Sequence, residues 1–386
     1  MLRTRQIDLA KRILAHREAG RGTDLADATY QVDPAIYCEP SILDDEVNRI
    51  FRRRPLLACM SAEVHEPGDF ITTDLLDVPV LVVRGDDGVV RAFRNSCRHR
   101  GAVVAEGKGC APKFSCPFHG WTYRRDGSLV STTHPTGFDD IDMSKGGLAE
   151  LACGEVSGLV FVRLSGPPGL LDAAGWLGPL ADELAHFGYE SYHALPRPAA
   201  KVGANWKLIY DGNCESWHSR FIHRATIDPL ISSDHAVFDP FDLHSLVTYP
   251  RKTIGVLTES TPEEWDFLPH ASCTYLILPN TVLINMVDHV ELFRIYPEAV
   301  DLTRIELTLY TPTPPDADER AERHWRRQAE ALERTVQSED FPVSEGAQRA
   351  LRTATAPLTY GRNEPALIHF HRGLERLLAD DALGAG

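Results

Sequence analysis

The stretch CRHRGAVVAEGKGCAPKFSCPFHGW, residues 97–121, decides how this chain is read. It holds a Cys-x-His pair, Cys97 and His99, then sixteen residues, then a Cys-x-x-His pair, Cys116 and His119. Thiolate sulfur and imidazole nitrogen are strong donors to soft and borderline metal ions. Gly101 and Gly120 follow the two histidines closely and let the backbone turn tightly beside the donors, while Pro117 stiffens the second turn. Two such turns can close one site from opposite sides.

Two metal groups fit these four residues. A structural zinc ion would take all four tetrahedrally. A Rieske [2Fe-2S] cluster would take the cysteines on one iron and the histidines on the other. The order favours the cluster, because each pair is mixed and each turn then gives one ligand to each iron. The surroundings favour it too. Segments such as DFITTDLLDVPVLVVRGDDGVVRAFRNSC and LVFVRL are rich in Val, Ile and Phe and punctuated by Gly, Pro and Asp, the pattern of short antiparallel strands. Asp87-Gly88 is a hairpin turn signal.

With 386 residues the chain exceeds one compact core. The expected division is an N-terminal helical segment over 1–45 that packs on the C-terminal domain, a β domain over 46–165 holding the four donors, and a second domain over 166–386. SGPPGLLDAAG marks the last boundary. Beyond it, NWKLIYDGNCESWHSRFIH and DADERAERHWRRQAEALERTVQSEDFPVSEGAQRALRT read as helical, and CTYLILPNTVLINMVDHVELFRIYP with LTRIELTLYTP as paired strands.

Net charge is −15, with 43% hydrophobic and 25% charged residues. An acidic chain is a poor non-specific ligand for nucleic acid or an anionic membrane. No apolar run reaches the roughly 18–20 residues that span a bilayer. Eight scattered cysteines lack the density of a secreted disulfide framework. A cytoplasmic protein with reduced thiols is expected.

DGNCESWHSRFIH brings a second constellation, His218 and His223. Five residues on a regular helix are about 140° of rotation, so the helix must distort or end if both rings grip one ion. Two histidines and a carboxylate form the facial set of non-haem Fe(II) oxygenases. Spacing leaves the acid open among Asp211, Glu215, Glu339 and Asp340.

Together these motifs resemble the oxygenase component, the α subunit, of Rieske non-haem iron aromatic ring-hydroxylating oxygenases. The resemblance rests on the Cys-x-His-x16-Cys-x-x-His run with HRGA and HGWTYRRDG, on NWK…D…E..WH….H, and on SEDFPVSEGAQRAL. It implies an α+β fold: an antiparallel β Rieske [2Fe-2S] domain plus a catalytic domain with an antiparallel β-sheet surrounded by helices, helix-grip-like. It implies that Cys97, Cys116, His99 and His119 hold the cluster and that His218, His223 and Asp340 hold the mononuclear iron. Glu215 takes the position of an acid bridging an iron-bound histidine to a neighbouring subunit's cluster, and Asp211 another acidic position near the iron.

The implied reaction is O2- and NAD(P)H-dependent mono- or dihydroxylation, or oxidative demethylation, of a small aromatic substrate. No Gly-rich dinucleotide fingerprint and no second ferredoxin pattern is present, so a separate ferredoxin or flavin reductase supplies electrons. A homotrimer is implied, with a β subunit left open. The alternative substrate is a quaternary ammonium compound, for which Trp206, Tyr210 and Trp217 are candidate cage residues. A rival outside enzymes is an electron carrier or a zinc-stapled binding module, against which His218, His223 and the distal acid argue.

Overall fold

The computed structural model describes all residues except Arg21, Ile141 and 381–386. The chain forms two compact units. Among the described residues, one holds Met1–Ile50, Leu177–Phe187 and 192–380; the other holds Phe51–Trp176 with Gly188–Ser191.

The unit from Phe51 is built on an eight-stranded sheet. Its order runs Leu56–Met60, Leu159–Arg163, Glu150–Val156, Val90–Arg94, Val78–Arg84, Asp69–Leu75, Lys108–Cys110. Gly169–Leu170 joins Glu150–Val156 as a short parallel partner; the other pairings are antiparallel. The hairpin read from Asp87-Gly88 is present, joining Val78–Arg84 to Val90–Arg94 with Gly88 at φ +78°. A second, three-stranded sheet carries Phe114–Ser115, Thr122–Tyr123 and Leu129–Ser131. Leu81, Val83, Phe93, Phe114, Trp121 and Tyr123 share a buried cluster with Cys97 and Cys116. The two cysteines therefore sit where the two sheets' side chains meet.

The other unit has its own eight-stranded antiparallel sheet, ordered His193–Pro196, Leu302–Thr311, Val290–Ala299, Thr281–Asn285, Ala271–Ile277, His244–Pro250, Val237–Phe241, with Ala200–Val202 also paired to Leu302–Thr311. The helix Pro365–Ala379 packs on His244–Pro250 and Val237–Phe241 through Leu367, Phe370, Leu374 and Leu377. Phe370 stacks on Tyr210 with ring centroids 4.1 Å apart and meets Trp206 edge-on. Lys207 is almost fully buried and is neutralised by Glu46, at 2.6 Å, which also accepts from Trp206 Nε1. This buried pair ties the N-terminal segment to the helix Trp206–Asp211.

The long helical reading of NWKLIYDGNCESWHSRFIH is corrected. The chain makes two short helices, Trp206–Asp211 and Ser219–Ile222, with an irregular segment between them. Gly212 and Asn213 break the run, since neither favours a helix interior. The long C-terminal helical reading also changes in detail: Glu319–Thr335 passes into a π turn, Val336–Asp340, before Phe341–Leu351 resumes as α-helix.

Candidate active site and cluster site

The cluster residues lie on two turns of like construction. In the first, Cys97 N–H donates to Ala102 O and Gly101 N–H to Cys97 O, at 2.8 and 2.9 Å; in the second, Cys116 N–H donates to Trp121 O and Gly120 N–H to Cys116 O, at 2.8 and 3.0 Å. Gly101 and Gly120 have φ of +74° and +71°, conformations that glycine adopts without steric cost. The turns bring the rings of His99 and His119 to 4.6 Å. Trp121 stacks on His99 at 5.1 Å and holds its plane. His99 Nδ1 is buried with no hydrogen-bond partner, a costly state unless a ligand takes it. Tyr123 O–H lies 3.1 Å from Cys97 Sγ and accepts from the Arg98 N–H at 3.0 Å.

Among the described residues, one set of three or more such donors has its ligand atoms within 4.8 Å of one another, and it is not this one. A single tetrahedral zinc needs all four donors nearly in contact, whereas a two-iron cluster spreads them into a cysteine pair and a histidine pair. The donors present fit the [2Fe-2S] cluster better than zinc.

The set that does converge is His218, His223 and Asp340. His218 precedes the one-turn helix Ser219–Ile222 and His223 ends it, with φ −106° and ψ +31°. Ending the helix there solves the rotation problem, and the two rings come to 5.1 Å. Asp340 closes the π turn, where its Oδ1 lies 3.1 Å from His223 Nε2 and 3.9 Å from His218 Nε2. π turns inside α-helices often mark functional positions.

Each histidine is held from behind by a carboxylate. His218 Nδ1–H donates to Glu215 Oε1 at 2.5 Å, while Glu215 Oε2 accepts the backbone N–H groups of Trp217 and His218. His223 Nδ1–H donates to Glu339 Oε2 at 2.5 Å, and Thr226 Oγ1 donates to the same oxygen at 2.6 Å. Adjacent acids thus address opposite edges of one ring, Glu339 at Nδ1 and Asp340 at Nε2. Burial pulls the His223 imidazole down, but Asp340 and Glu339 outweigh it and leave the pKa raised. With both Nδ1 atoms committed, both Nε2 atoms turn toward Asp340. Two imidazoles and one carboxylate facing one point are the donor set of a mononuclear iron with open positions.

The three residues open on a cavity of about 290 Å³ lined by Leu208, Ile209, Ile227, Ile284, Phe293 and Phe341 among others. A neighbouring cavity of about 410 Å³ shares Asn213, Glu215, His218, Ile284 and Glu291 with it. Asp211 is not brought to this set. The same helix turns Leu208 and Ile209 to the cavity and Asp211 elsewhere, where it accepts from Tyr37 O–H at 2.6 Å and lies 2.9 Å from His371 Nε2. The three cage candidates do not form a cage. Trp206 and Tyr210 are core residues, and Trp217 lines neither cavity. Sequence reasoning missed Glu339 as a partner of His223, Trp121 and Tyr123 around the cluster, and Glu291 in the cavity wall. Of these, Trp121 alone had a signal, its place directly after the Cys-x-x-His-Gly turn.

A histidine-rich cluster turn joined to a two-histidine, one-carboxylate centre defines the class of Rieske non-haem iron oxygenases. The chain belongs to the family described as "Ring hydroxylating alpha subunit (catalytic domain)", matched over residues 181–380, and carries a "Rieske [2Fe-2S] domain" over 54–142. Its cofactors are accordingly a [2Fe-2S] cluster and a mononuclear iron.

Among its relatives is the glycine betaine monooxygenase oxygenase subunit of Chromohalobacter salexigens, 34% identical over 199 residues, 51% of this chain and 44% of that protein. The aligned part thus spans less than half of that relative's length. The chloroplastic choline monooxygenase of Spinacia oleracea is 26% identical over 353 residues, 89% of this chain and 77% of that protein. In fold, the chain is similar to the quaternary ammonium Rieske monooxygenase CntA solved with L-carnitine, with a TM-score of 0.77, 20% identity, and coverage of 92% of this chain and 96% of that one. No helix among the described residues is long and apolar enough to cross a membrane, and no cysteine among them forms a disulfide.

Proposed function

We propose that this protein is the cytoplasmic terminal oxygenase of a multicomponent system that oxidises a small quaternary ammonium compound. The observation that carries the reading is the convergence of His218, His223 and Asp340 on one mostly apolar cavity. Glycine betaine and choline monooxygenases among the relatives support the substrate class. Electrons come from NAD(P)H through a separate ferredoxin or flavin reductase. Cys97 and Cys116 bind one iron of the cluster and His99 and His119 the other. His218, His223 and Asp340 bind the mononuclear iron.

Bound iron supplies open positions at which O2 is reduced beside the substrate. The balance is one oxygen atom into a C–H bond and one to water, with two electrons and two protons consumed. Where the carbon is an N-methyl, the resulting N–CH2–OH group breaks to the demethylated amine and formaldehyde. The chain's own contribution is positional. Glu215 and Glu339 fix the two imidazoles, and the Leu, Ile and Phe side chains of the wall exclude water from the reacting carbon. In a homotrimer, Glu215 also links His218 to a cluster histidine of the neighbouring subunit.

A neutral aromatic substrate is the second reading, favoured by Phe293 and Phe341 in the wall. The test is O2 uptake and formaldehyde release with a surrogate reductase. Uptake coupled to choline or glycine betaine, and weak with toluene or naphthalene, supports the first reading. Coupling to the aromatic compounds alone supports the second. Protein carrying both iron centres that couples O2 uptake to no compound of either class sinks both.

A further inference from the structure

Glu291 stands apart in the cavity that holds Asp340. The ionisable side chains lining that cavity are Glu215, His218, His223, Asp340 and Glu291. The first four make up the metal centre and its support. Among the described residues lining it, Glu291 is therefore the one charged group with no task at the metal, and none is a lysine or arginine. It lies on the strand Val290–Ala299 beside the alternate residue Phe293, which lines the cavity too, and across from Ile284.

A carboxylate facing a largely apolar space is costly unless compensated. Part of the compensation comes from behind. His289 is buried, and its ring lies between two acids, with Nδ1 2.7 Å from Asp288 Oδ1 and Nε2 3.3 Å from Glu291 Oε1. Burial lowers the His289 pKa, but Asp288 and Glu291 outweigh it and hold it up to about 9. The imidazolium thus donates to both carboxylates at neutral pH. His324 Nε2 lies 3.0 Å from the outer oxygen of Asp288, and Trp325 packs at 6.0 Å from the His289 ring. One imidazolium between two carboxylates leaves one negative charge in excess, and Glu291 is the end that faces the cavity.

We propose that Glu291 is the substrate-recognition residue for the cationic nitrogen of an alkylated ammonium compound, held in place by the Asp288–His289 pair. This rests on the proposed oxygenase reading and adds the residue that selects the charge. The apolar wall offers few acceptors for N–H donors, so a nitrogen clothed in methyl groups suits the space better than a primary ammonium. Arg251 and Arg334 line only the neighbouring cavity. Their charge repels a cation there and favours its seating on the triad side. Recognition is by a fixed carboxylate, since Trp206, Tyr210 and Trp217 line neither cavity.

The test uses the holoprotein without O2 and titrates tetramethylammonium, choline and glycine betaine, with 3,3-dimethylbutan-1-ol as the uncharged carbon isostere of choline. Wild-type protein should bind at least one cation tighter than the isostere. Glu291→Gln should weaken that cation by at least about 10-fold, as expected for truncating one partner of a desolvated charge pair, and leave the isostere within about 2-fold. Glu291→Asp, which keeps the charge, should retain the preference in part and guards against a Gln variant that does not fold. His289→Gln should raise KM for the cation with a smaller effect on kcat, the split expected of a positioning residue.

No cation binding tighter than the isostere in wild type, or an unchanged preference in Glu291→Gln, overturns the proposal. Coupled O2 uptake reports the oxygenase reading separately: uptake with neutral substrates and no charge preference overturns the Glu291 assignment alone.

Discussion

Replacing Glu339 with Ala tests the geometry of the iron centre without touching a proposed ligand. The carboxylate accepts from His223 Nδ1 at 2.5 Å and from Thr226 Oγ1 at 2.6 Å. His223 is 1% exposed, so water cannot freely replace the lost acceptor. An unsatisfied buried donor costs about 1–3 kcal/mol, which is about 5- to 150-fold in an equilibrium constant. The usual loss on removing a group that orients a metal-bound histidine is about 10- to 100-fold, and the two figures agree. Chelator competition for Fe(II), with the cluster absorption as an internal standard of folding, measures it. Glu339→Ala should bind iron about 10- to 100-fold more weakly, and Asp340→Ala should bind it hardly at all. Wild-type affinity in Glu339→Ala refutes the positioning role. Complete loss in Glu339→Ala with iron retained in Asp340→Ala moves the ligand by one residue.

Glu215→Gln should keep both iron centres but slow cluster oxidation in a single turnover with O2 and substrate by about 10-fold or more; wild-type rates return Glu215 to a purely structural cap of the Trp217 and His218 amides. Tyr123→Phe removes a hydrogen bond to Cys97 Sγ and should lower the cluster potential while the colour is retained, read by redox titration; an unchanged potential argues against that bond. Lys207→Ala leaves Glu46 buried beside Trp206 alone and should cost about 3–5 kcal/mol in chemical denaturation; a loss below about 1 kcal/mol shows that the pair is hydrated in solution. His289, raised to about 9, adds stability that is complete below its unfolded value near 6.5 and is lost as pH rises through about 9. His289→Gln should flatten that slope, and equal slopes in both proteins exclude the linkage.

The parts of this protein that depend on local chemistry were legible in its sequence. The two glycine-closed turns, the Asp87-Gly88 hairpin and the alternating strands from Ala271 to Thr311 all follow from residue type and spacing. The need for the helix to distort or end if His218 and His223 grip one ion followed from helical rotation alone, and the structure ends it at His223. What was hidden depends on partners distant in the chain. Glu339 and Asp340 are neighbours of equal acidity, and only the π turn gives one the Nε2 edge and the other the Nδ1 edge of His223. Asp211 reads as one more acid near the histidines, but its helix faces it toward Tyr37 and His371. Trp206 and Tyr210 are aromatic enough for a cage, yet Phe370 from a helix more than 150 residues later claims them for the core. Glu291 has no local mark, because its meaning comes from the cavity across the sheet.

The π turn at Val336–Asp340 makes this centre unusually sensitive to length. Its wider turn accommodates about one residue more than the α-helix on either side. Deleting one residue there would let the α-helical hydrogen bonds run through from Glu319 to Leu351. The helix would gain regularity and its two flanks would keep their relative phase, but the side chains within the turn would be redirected. Asp340 would then leave the face shared with His218 and His223. Local helix stability and iron binding pull on this segment in opposite directions, so variants selected only for thermal stability could drift toward a sound fold with an empty centre. Within this helical run, the spacing of residues constrains function as strictly as their identity does.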